Sequence, residues 1–298
     1  ASETLVKQAI ARTAGVKPAA VNGYLLQKQS IDSRGRQPWI NLTLLAYIDE
    51  PFRERVRKSF SFRDVHKATQ TVIIVGAGPA GLFAALQLIE SGIRPLLLER
   101  GKDVRARRRD LALLNKEGVV DPDSNYCFGE GGAGTYSDGK LYTRSSKRGD
   151  INRILELFVH FGADEKILYE SHPHIGTNKL PHIITAMREK ILAFGGIFLF
   201  EKRVTDFILD GQKIKSVKTA DGQLFESDAV ILATGHSARD IFELLHHKKI
   251  LIELKPFALG VRVEHPQSLV DSAQYHCELR GEFLPPASYS WVQQVDGK

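Results

Sequence analysis

Glycine and acidic residues between positions 76 and 99 have the types and spacing needed to bind a dinucleotide. Residues 76–81 read GAGPAG, which matches the pattern G-x-G-x-x-G. The first glycine of this pattern allows a tight turn, the second lets the backbone approach a pyrophosphate, and the third lets a helix pack close to a strand. Glu99 lies 18 residues beyond Gly81, where its carboxylate can accept hydrogen bonds from ribose hydroxyls.

The surrounding patterns predict the elements that position these residues. Residues 72–75 are apolar and β-branched, which predicts a buried parallel strand directly before the glycine turn. Apolar residues at helical spacing follow the turn, and Gly92 is a natural helix stop. Residues 95–99 predict a second strand with the acid at its end. A glycine turn with no ligand is the alternative, but the ordered strand, turn, helix, strand and acid favour a dinucleotide site.

Two further stretches could contact a charged ligand. Arginines cluster on a predicted helix at positions 100–109, where a solvated face explains most of them and one guanidinium could reach the diphosphate. Residues 125–141 contain five glycines without a preceding apolar strand, which predicts a loop. Phe128, Tyr136 and Leu141 argue against disorder, so this loop is predicted to press its backbone against a ligand.

A third stretch predicts a ligand contact at the end of another strand. Residues 229–235 read as a buried strand that ends in a small-residue turn, ATG. Such turns let a ligand lie against the carboxyl edge of an open α/β sheet. His236 comes next, and it either faces a ligand or bonds to backbone. Ser237 is predicted to cap a helix over residues 238–247.

The composition is that of a globular chain. With 298 residues, 43% of them hydrophobic, it can bury a sizeable core and has the length of about two domains. No apolar run could span a bilayer and no signal segment opens the chain, so we expect a cytoplasmic protein with no membrane partner. Cys127 and Cys277 form neither a disulfide framework nor a zinc-type spacing, and we expect both to be buried small residues. Of the two, Cys127 has the better functional claim, because a glycine-rich loop follows it.

Charge and histidine spacing bear on partners. Residues 1–68 carry 12 Lys and Arg against 6 Asp and Glu, whereas residues 69–298 carry 29 of each. A solvated basic face explains the excess. An acidic partner or a nucleic acid is the alternative explanation. The sequence lacks the interleaved basic and aromatic residues that would favour it. His172 and His174 have a spacing that a metal could use, but no cysteine or acid pair completes a ligand set, so no metal is expected.

The patterns divide the chain into three parts. Residues 1–68 predict a helix and two strands, forming a small basic α+β domain of ferredoxin-like type. Residues 70–255 predict an α/β domain of Rossmann type, and Asp-Gly turns within it indicate a β-hairpin insertion. Residues 256–298 are predicted to start a substrate domain.

Four motifs in order carry a family resemblance. They are FGEGGAGTYSDGKLYTR at 128–144, HIGTNKL at 174–180, ATGHSARD at 233–240 and FALGVRVEHPQ at 257–267. Together with the GAGPAG unit they resemble the bacterial uncharacterised FAD-dependent dehydrogenases, within the glutathione-reductase-like superfamily. That superfamily usually closes its cofactor site with a late glycine-aspartate motif, which does not occur before Lys298. We therefore expect a C-terminally truncated chain.

The resemblance implies FAD as cofactor and assigns its contacts. The expected pyrophosphate contacts are Gly76, Gly78, Pro79, Ala80 and Gly81. The expected ribose contact is Glu99, with further contacts from Arg100 and Arg107. The expected adenine contact is Val204, with sheet-end contacts at Ala233, Thr234 and Gly235. The isoalloxazine ring is expected near Gly132, Ala133, Gly134 and Thr135.

The resulting functional hypothesis is an FAD-dependent oxidoreductase that transfers hydride to or from an unknown small molecule. No second Rossmann fingerprint occurs, so NAD(P)H as a transient donor would visit a shared pocket. One alternative is a nucleic-acid-associated flavoprotein, such as one that modifies RNA, in which the basic N-terminal domain would hold the polyanion. Another is a non-catalytic flavin-binding module. The sequence assigns no catalytic acid or base and no oligomeric state.

Overall fold

The computed structural model describes residues 2–143, 149–176, 178–255, 260–261, 263–289 and 294. Parts of the 128–144, 174–180 and 257–267 motifs, and the end of the chain, lie outside the described residues. Two compact units are present. The first comprises Ala1–Val56, Tyr169–Ser171 and Lys255–Lys298, and the second comprises Arg57–Leu168 and His172–Leu254.

Helices and strands alternate along much of the described chain. The α-helices are α1 (Glu3–Ala14), α2 (Pro79–Glu90), α3 (Val104–Glu117), α4 (Ile151–His160), α5 (Leu180–Ala193), α6 (Arg239–His247) and α7 (Gln267–Tyr275). The strands are β1 (Val21–Asp32), β2 (Trp39–Ile48), β3 (Thr71–Val75), β4 (Arg94–Leu98), β5 (Ile197–Leu199), β6 (Val204–Asp210), β7 (Lys213–Thr219), β8 (Leu224–Glu226) and β9 (Ala229–Leu232). Among the described residues, no helix combines the length and apolarity required to cross a bilayer.

The first unit contains α1 and a two-stranded ribbon. The hydroxyl of Ser2 caps α1 by accepting a hydrogen bond from the Leu5 amide, and Gly15 ends the helix in a left-handed conformation. β1 and β2 pair antiparallel over their whole lengths, as the alternating sequence predicts. The backbone of Tyr169 and Ser171 bonds to Gln29 on β1, which extends the ribbon.

The second unit is built on a parallel sheet of order β5-β4-β3-β9. The chain runs outward from β3 through β4 to β5 and then returns to the other side of β3 as β9. Ligands bind at such a reversal, outside the carboxyl ends of the strands. The predicted parallel sheet is thus confirmed. Strands β6, β7 and β8 form a separate antiparallel sheet from the Asp-Gly hairpins.

Side chains of β3 alternate between two apolar layers. Ile74 packs with residues of α2 and α5, including Leu86 and Met187. Ile73 packs on the opposite side with residues of the hairpin sheet and α6, including Phe207 and Ile241. Burial on both faces explains why the strand is apolar without polar alternation. It also fixes the strand's carboxyl end, from which the glycine turn starts.

We expect Ile74→Ala to lower the free energy of unfolding by about 2–5 kcal/mol, because it opens a cavity beside a fully buried strand. Urea unfolding monitored by circular dichroism measures this loss. Leu224→Ala, on a strand of the same unit where the side chain is exposed, should change it by less than about 0.5 kcal/mol. Equal losses in the two variants would contradict the two-layer core.

Candidate cofactor-binding site

The turn between β3 and α2 places backbone where side chains would obstruct it. Gly76 has a φ of 105°, and a Cβ there would lie 2.6 Å from the Ala233 carbonyl oxygen. A Cβ on Gly81 would collide with the Gly76 carbonyl oxygen, so this glycine lets α2 pack against the turn. Gly78 is the N-cap of α2, and it provides no side chain to bond the first amides of the helix. Those amides remain available to an anion.

The Glu99 carboxylate joins three segments of backbone. It is 4% exposed and accepts hydrogen bonds from the amides of Ala77 at 2.8 Å, Gly101 at 2.8 Å and Gly129 at 3.1 Å. It therefore fixes the glycine turn, the end of β4 and the second glycine-rich stretch at one point. A carboxylate can accept roughly four hydrogen bonds, so one acceptor position remains for a ligand hydroxyl.

Arg107, on α3, lies fully buried beneath the glycine-rich loop. Its guanidinium donates to the carbonyl oxygens of Asn125, Tyr126, Gly129, Glu130 and Gly132, and to the hydroxyl of Thr135. Burial lowers the pKa of Arg107 from its ordinary value, but an arginine remains charged in proteins. One side chain thus holds the shape of the loop, because it donates to carbonyl oxygens that would otherwise be buried without a hydrogen bond.

A cavity of about 460 Å³ opens at the carboxyl ends of the parallel strands. All but three of the predicted contact residues line it: Gly76, Gly78, Pro79, Ala80, Glu99, Arg100, Gly132, Ala133, Gly134, Val204, Ala233, Thr234 and Gly235. The other three are Gly81, Arg107 and Thr135. Gly81 lies within α2, while Arg107 and Thr135 are fully buried and bonded to each other at 3.1 Å. These three shape the wall from behind.

Charged residues on one side of the cavity form a network. Arg100 donates to Asp123 at 2.8 Å and to Asp240 at 3.1 Å, and its guanidinium lies 4.1 Å from the ring centre of Phe128. Arg203 approaches Asp123 at 3.4 Å. Except for Arg100, sequence reasoning did not place these residues at the site. Tertiary folding alone brings them together, because they lie in four separate segments of the chain.

Two predictions about residues near the cavity are wrong. Cys127, on the glycine-rich loop, is exposed and lines the cavity instead of being buried. Ser237 does not cap α6, since the N-cap is Ala238 and no side chain bonds the first amides. His236 lines the cavity wall, which agrees with the ligand-facing alternative.

Glu130 is a buried carboxylate at the centre of the glycine-rich loop. One oxygen accepts hydrogen bonds from the Val104 amide at 2.8 Å and from Arg188 at 2.9 Å. Its other oxygen, Oε1, has no partner among the described residues. Burial raises the pKa of Glu130 from 4.5 to about 7, against the opposing effects of the Val104 amide and Arg188. Loop, α3 and α5 therefore meet at a carboxylate that titrates near neutral pH.

We expect Arg107→Met to destabilise the protein by about 3 kcal/mol or more, because several buried carbonyls lose their donor. Arg107→Lys keeps the charge but not the planar set of donors, so its loss should be intermediate. Hydrogen exchange of the amides at 129–135 should accelerate in both variants. Arg108→Met, at an exposed position on the same helix, is the control, and an equal effect there would refute the anchoring role.

We expect Glu130 to stabilise the folded protein by an amount that is lost as pH rises from about 4.5 to about 7. The folded state holds the Glu130 proton more tightly than the unfolded chain does, so the folded state loses this advantage over that window. Glu130→Gln should flatten the dependence by up to roughly 3 kcal/mol. Glu189→Gln, exposed on α5, is the control. Urea unfolding at several pH values measures both, and parallel profiles for wild type and Glu130→Gln would exclude Glu130 as the source.

Comparison with protein families gives four matches. An FAD binding domain matches residues 69–116, and an FAD-dependent protein, C-terminal domain-like family matches residues 256–298. The family of glucose inhibited division protein A matches residues 181–269, and a domain of unknown function matches residues 1–47. An uncharacterized protein of Clostridium beijerinckii is 40% identical over 224 residues, which cover 75% of this chain. The matched part spans 42% of the length of that relative.

Among solved structures, THI4 of Thermovibrio ammonificans is 16% identical, with a TM-score of 0.40 over 61% of this chain and 64% of that one. Glycine oxidase of Bacillus cereus is 19% identical, with a TM-score of 0.31 over 60% and 59% of the respective chains. The GidA-related protein of Thermus thermophilus is 18% identical, with a TM-score of 0.32 over 56% and 54%.

Two of the family matches name FAD, and they cover the predicted dinucleotide turn and the C-terminal part of the chain. The first of them contains both the glycine turn and Glu99. The resemblance inferred from the motifs is thereby confirmed, as is FAD as the cofactor. The match to an FAD binding domain thus falls on β3, the glycine turn, α2 and β4, within the parallel sheet of Rossmann type.

Proposed function

We propose that this protein is an FAD-dependent oxidoreductase whose cofactor occupies the cavity at the carboxyl ends of β3, β4 and β9. The observation that carries the proposal is the uncapped start of α2. A Cβ on Gly78 would meet only the Gly132 Cα, at 3.8 Å, so the glycine leaves open space in front of free helix amides. A pyrophosphate suits such a position, because the amides and the helix dipole both favour an anion.

The remaining walls suit the other parts of FAD. Glu99 would accept a ribose hydroxyl, and Val204 would lie beside the adenine. Arg100 would contribute to the same end of the cavity, where its guanidinium already lies over Phe128. Gly132 and Ala133 would lie towards the isoalloxazine ring. These assignments are supported by the cavity that these residues share.

FAD, when bound, supplies hydride chemistry, and the protein supplies binding, orientation and electrostatics. In this chain Glu99 and Arg107 fix the two glycine-rich segments between which the cofactor would lie. Their hydrogen bonds are already made within the protein, so binding costs little rearrangement of the loop. The substrate is proposed to be a small molecule. NAD(P)H is proposed as a donor that visits the same pocket, because the sequence contains one Rossmann fingerprint.

We expect Gly78→Ala to weaken FAD binding at least tenfold, which corresponds to about 1.4 kcal/mol. The added methyl group would enter the space of the pyrophosphate without meeting another part of the protein closely. Fluorescence titration of the apoprotein with FAD measures Kd. Thermal unfolding in the absence of FAD should be unchanged, which separates lost binding from lost folding.

Gly35→Ala is the matched control, since its Cβ would make only an ordinary contact, at 3.9 Å, with the Gln37 carbonyl oxygen. Unchanged FAD affinity in Gly78→Ala would contradict the proposed site. Bleaching of the flavin absorbance by NADPH or NADH under anaerobic conditions would support a nicotinamide donor. The nucleic-acid alternative stays a prediction. A steep fall in nucleic-acid binding with added salt would support it.

A further inference from the structure

Two motifs that the cofactor site does not use lie side by side in the second unit. Residues 138–142 form the end of the glycine-rich loop and the residue after it, and residues 172–176 carry the paired histidines. Lys140 pairs antiparallel with His174 in an isolated β-bridge. The Leu141 amide donates to the Pro173 carbonyl at 3.0 Å, and the Ile175 amide donates to the Gly139 carbonyl at 3.1 Å. Both motifs therefore form one short antiparallel pair.

Alternation along this pair separates packing residues from chemically active ones. Gly139, Pro173 and Ile175 are buried. The alternate positions on both segments are exposed, and we call them the lysine-histidine face: Asp138, Lys140, Tyr142, His172 and His174. Side chains of paired residues in an antiparallel ladder project to the same side. The rings of Tyr142 and His172 accordingly lie in contact, with centres 4.6 Å apart.

The polar groups of this face are not engaged in holding the fold. In the part of the chain that the structure describes, the side chains of Asp138, Lys140 and His174 form no hydrogen bond or ion pair. Lys102 and Arg188, by contrast, are each paired with a carboxylate within the fold. The lysine-histidine face thus presents a cation, imidazole and phenol donors and one carboxylate to solvent.

A short hydrogen-bonded link joins this face to the cavity wall. Gly134 lines the cavity. The Ser137 hydroxyl donates to the Gly134 carbonyl at 2.7 Å and accepts from the Gly139 amide at 3.2 Å. Gly139 directly precedes Lys140 on the chain. The face therefore continues from the loop that is proposed to lie towards the isoalloxazine ring.

We propose that the lysine-histidine face binds the carboxylate of a small monoanionic substrate. Lys140 supplies a fixed positive charge, and His172 and His174 supply N–H donors. Asp138 lies two residues from Lys140 on the same face, a separation of about 7 Å along a strand. Its negative charge opposes a second charge on the ligand, so the face selects a carboxylate over a phosphate dianion. The bound carboxylate would belong to the substrate of the proposed oxidoreductase, so this inference rests on the proposed function.

The test is NMR of the 298-residue chain with 13C-labelled histidine, titrated with propionate and separately with inorganic phosphate. Variants of His172 and His174 identify their resonances. We expect propionate to shift both histidine resonances saturably, with a lower Kd than phosphate. Lys140→Met should raise the propionate Kd at least tenfold, and Asp138→Asn should tighten phosphate binding several-fold. Lys166→Met, at an exposed position of the same unit, should change neither value.

The absence of a saturable shift in the wild type would overturn the proposal. So would an unchanged propionate Kd in Lys140→Met, or phosphate binding as tight as that of propionate. The titration needs no bound FAD, so its result is independent of the Gly78→Ala test. Propionate binding in a protein that fails to bind FAD would keep this site and reject the oxidoreductase function. FAD binding without a propionate response would keep the oxidoreductase function and reject this site.

Discussion

The geometry of the second unit depends on one buried carboxylate, that of Glu99. Three backbone amides from separate parts of the chain converge on it: Ala77 in the glycine turn, Gly101 after β4 and Gly129 in the glycine-rich loop. Hydrogen bonds to an ionised acceptor are stronger than those between neutral groups. Because the two glycine-rich segments share this acceptor, neither can move without breaking a bond in a low-dielectric interior.

Behind the cavity the interior is polar as well as apolar. Arg107 of α3 and Glu130 of the glycine-rich loop are fully buried, and Arg188 of α5 pairs with Glu130. Burying a loop requires donors for its carbonyls, and the guanidinium of Arg107 provides them from a single residue. Glu130 accepts a hydrogen bond from Arg188, and burial raises the pKa of Glu130 to about 7. A preformed wall of backbone is the structural result.

The sheet order explains where this wall lies. The strand order reverses at β3, so the carboxyl ends of β3, β4 and β9 border a crevice. Small residues after β9 and glycines after β3 keep side chains out of it. Hairpin strand β6 and the start of α6 then supply Val204 and Asp240 as its far wall. The strand order thus explains where the cavity lies, and the small residues at the ends of β3 and β9 explain why it stays open.

Local patterns in the sequence predicted most elements of the second unit, though not α4, and the glycine turn; the other predicted cavity contacts came from the family resemblance. The strand, glycine turn and Glu99 could be predicted because each depends on neighbours in the chain, through periodicity, φ freedom and spacing. Tertiary structure alone decided the burial of Arg107 and Glu130, the exposure of Cys127 and the pairing of Lys140 with His174. Each of these depends on segments far apart in sequence, and only packing and long-range hydrogen bonds bring such segments together.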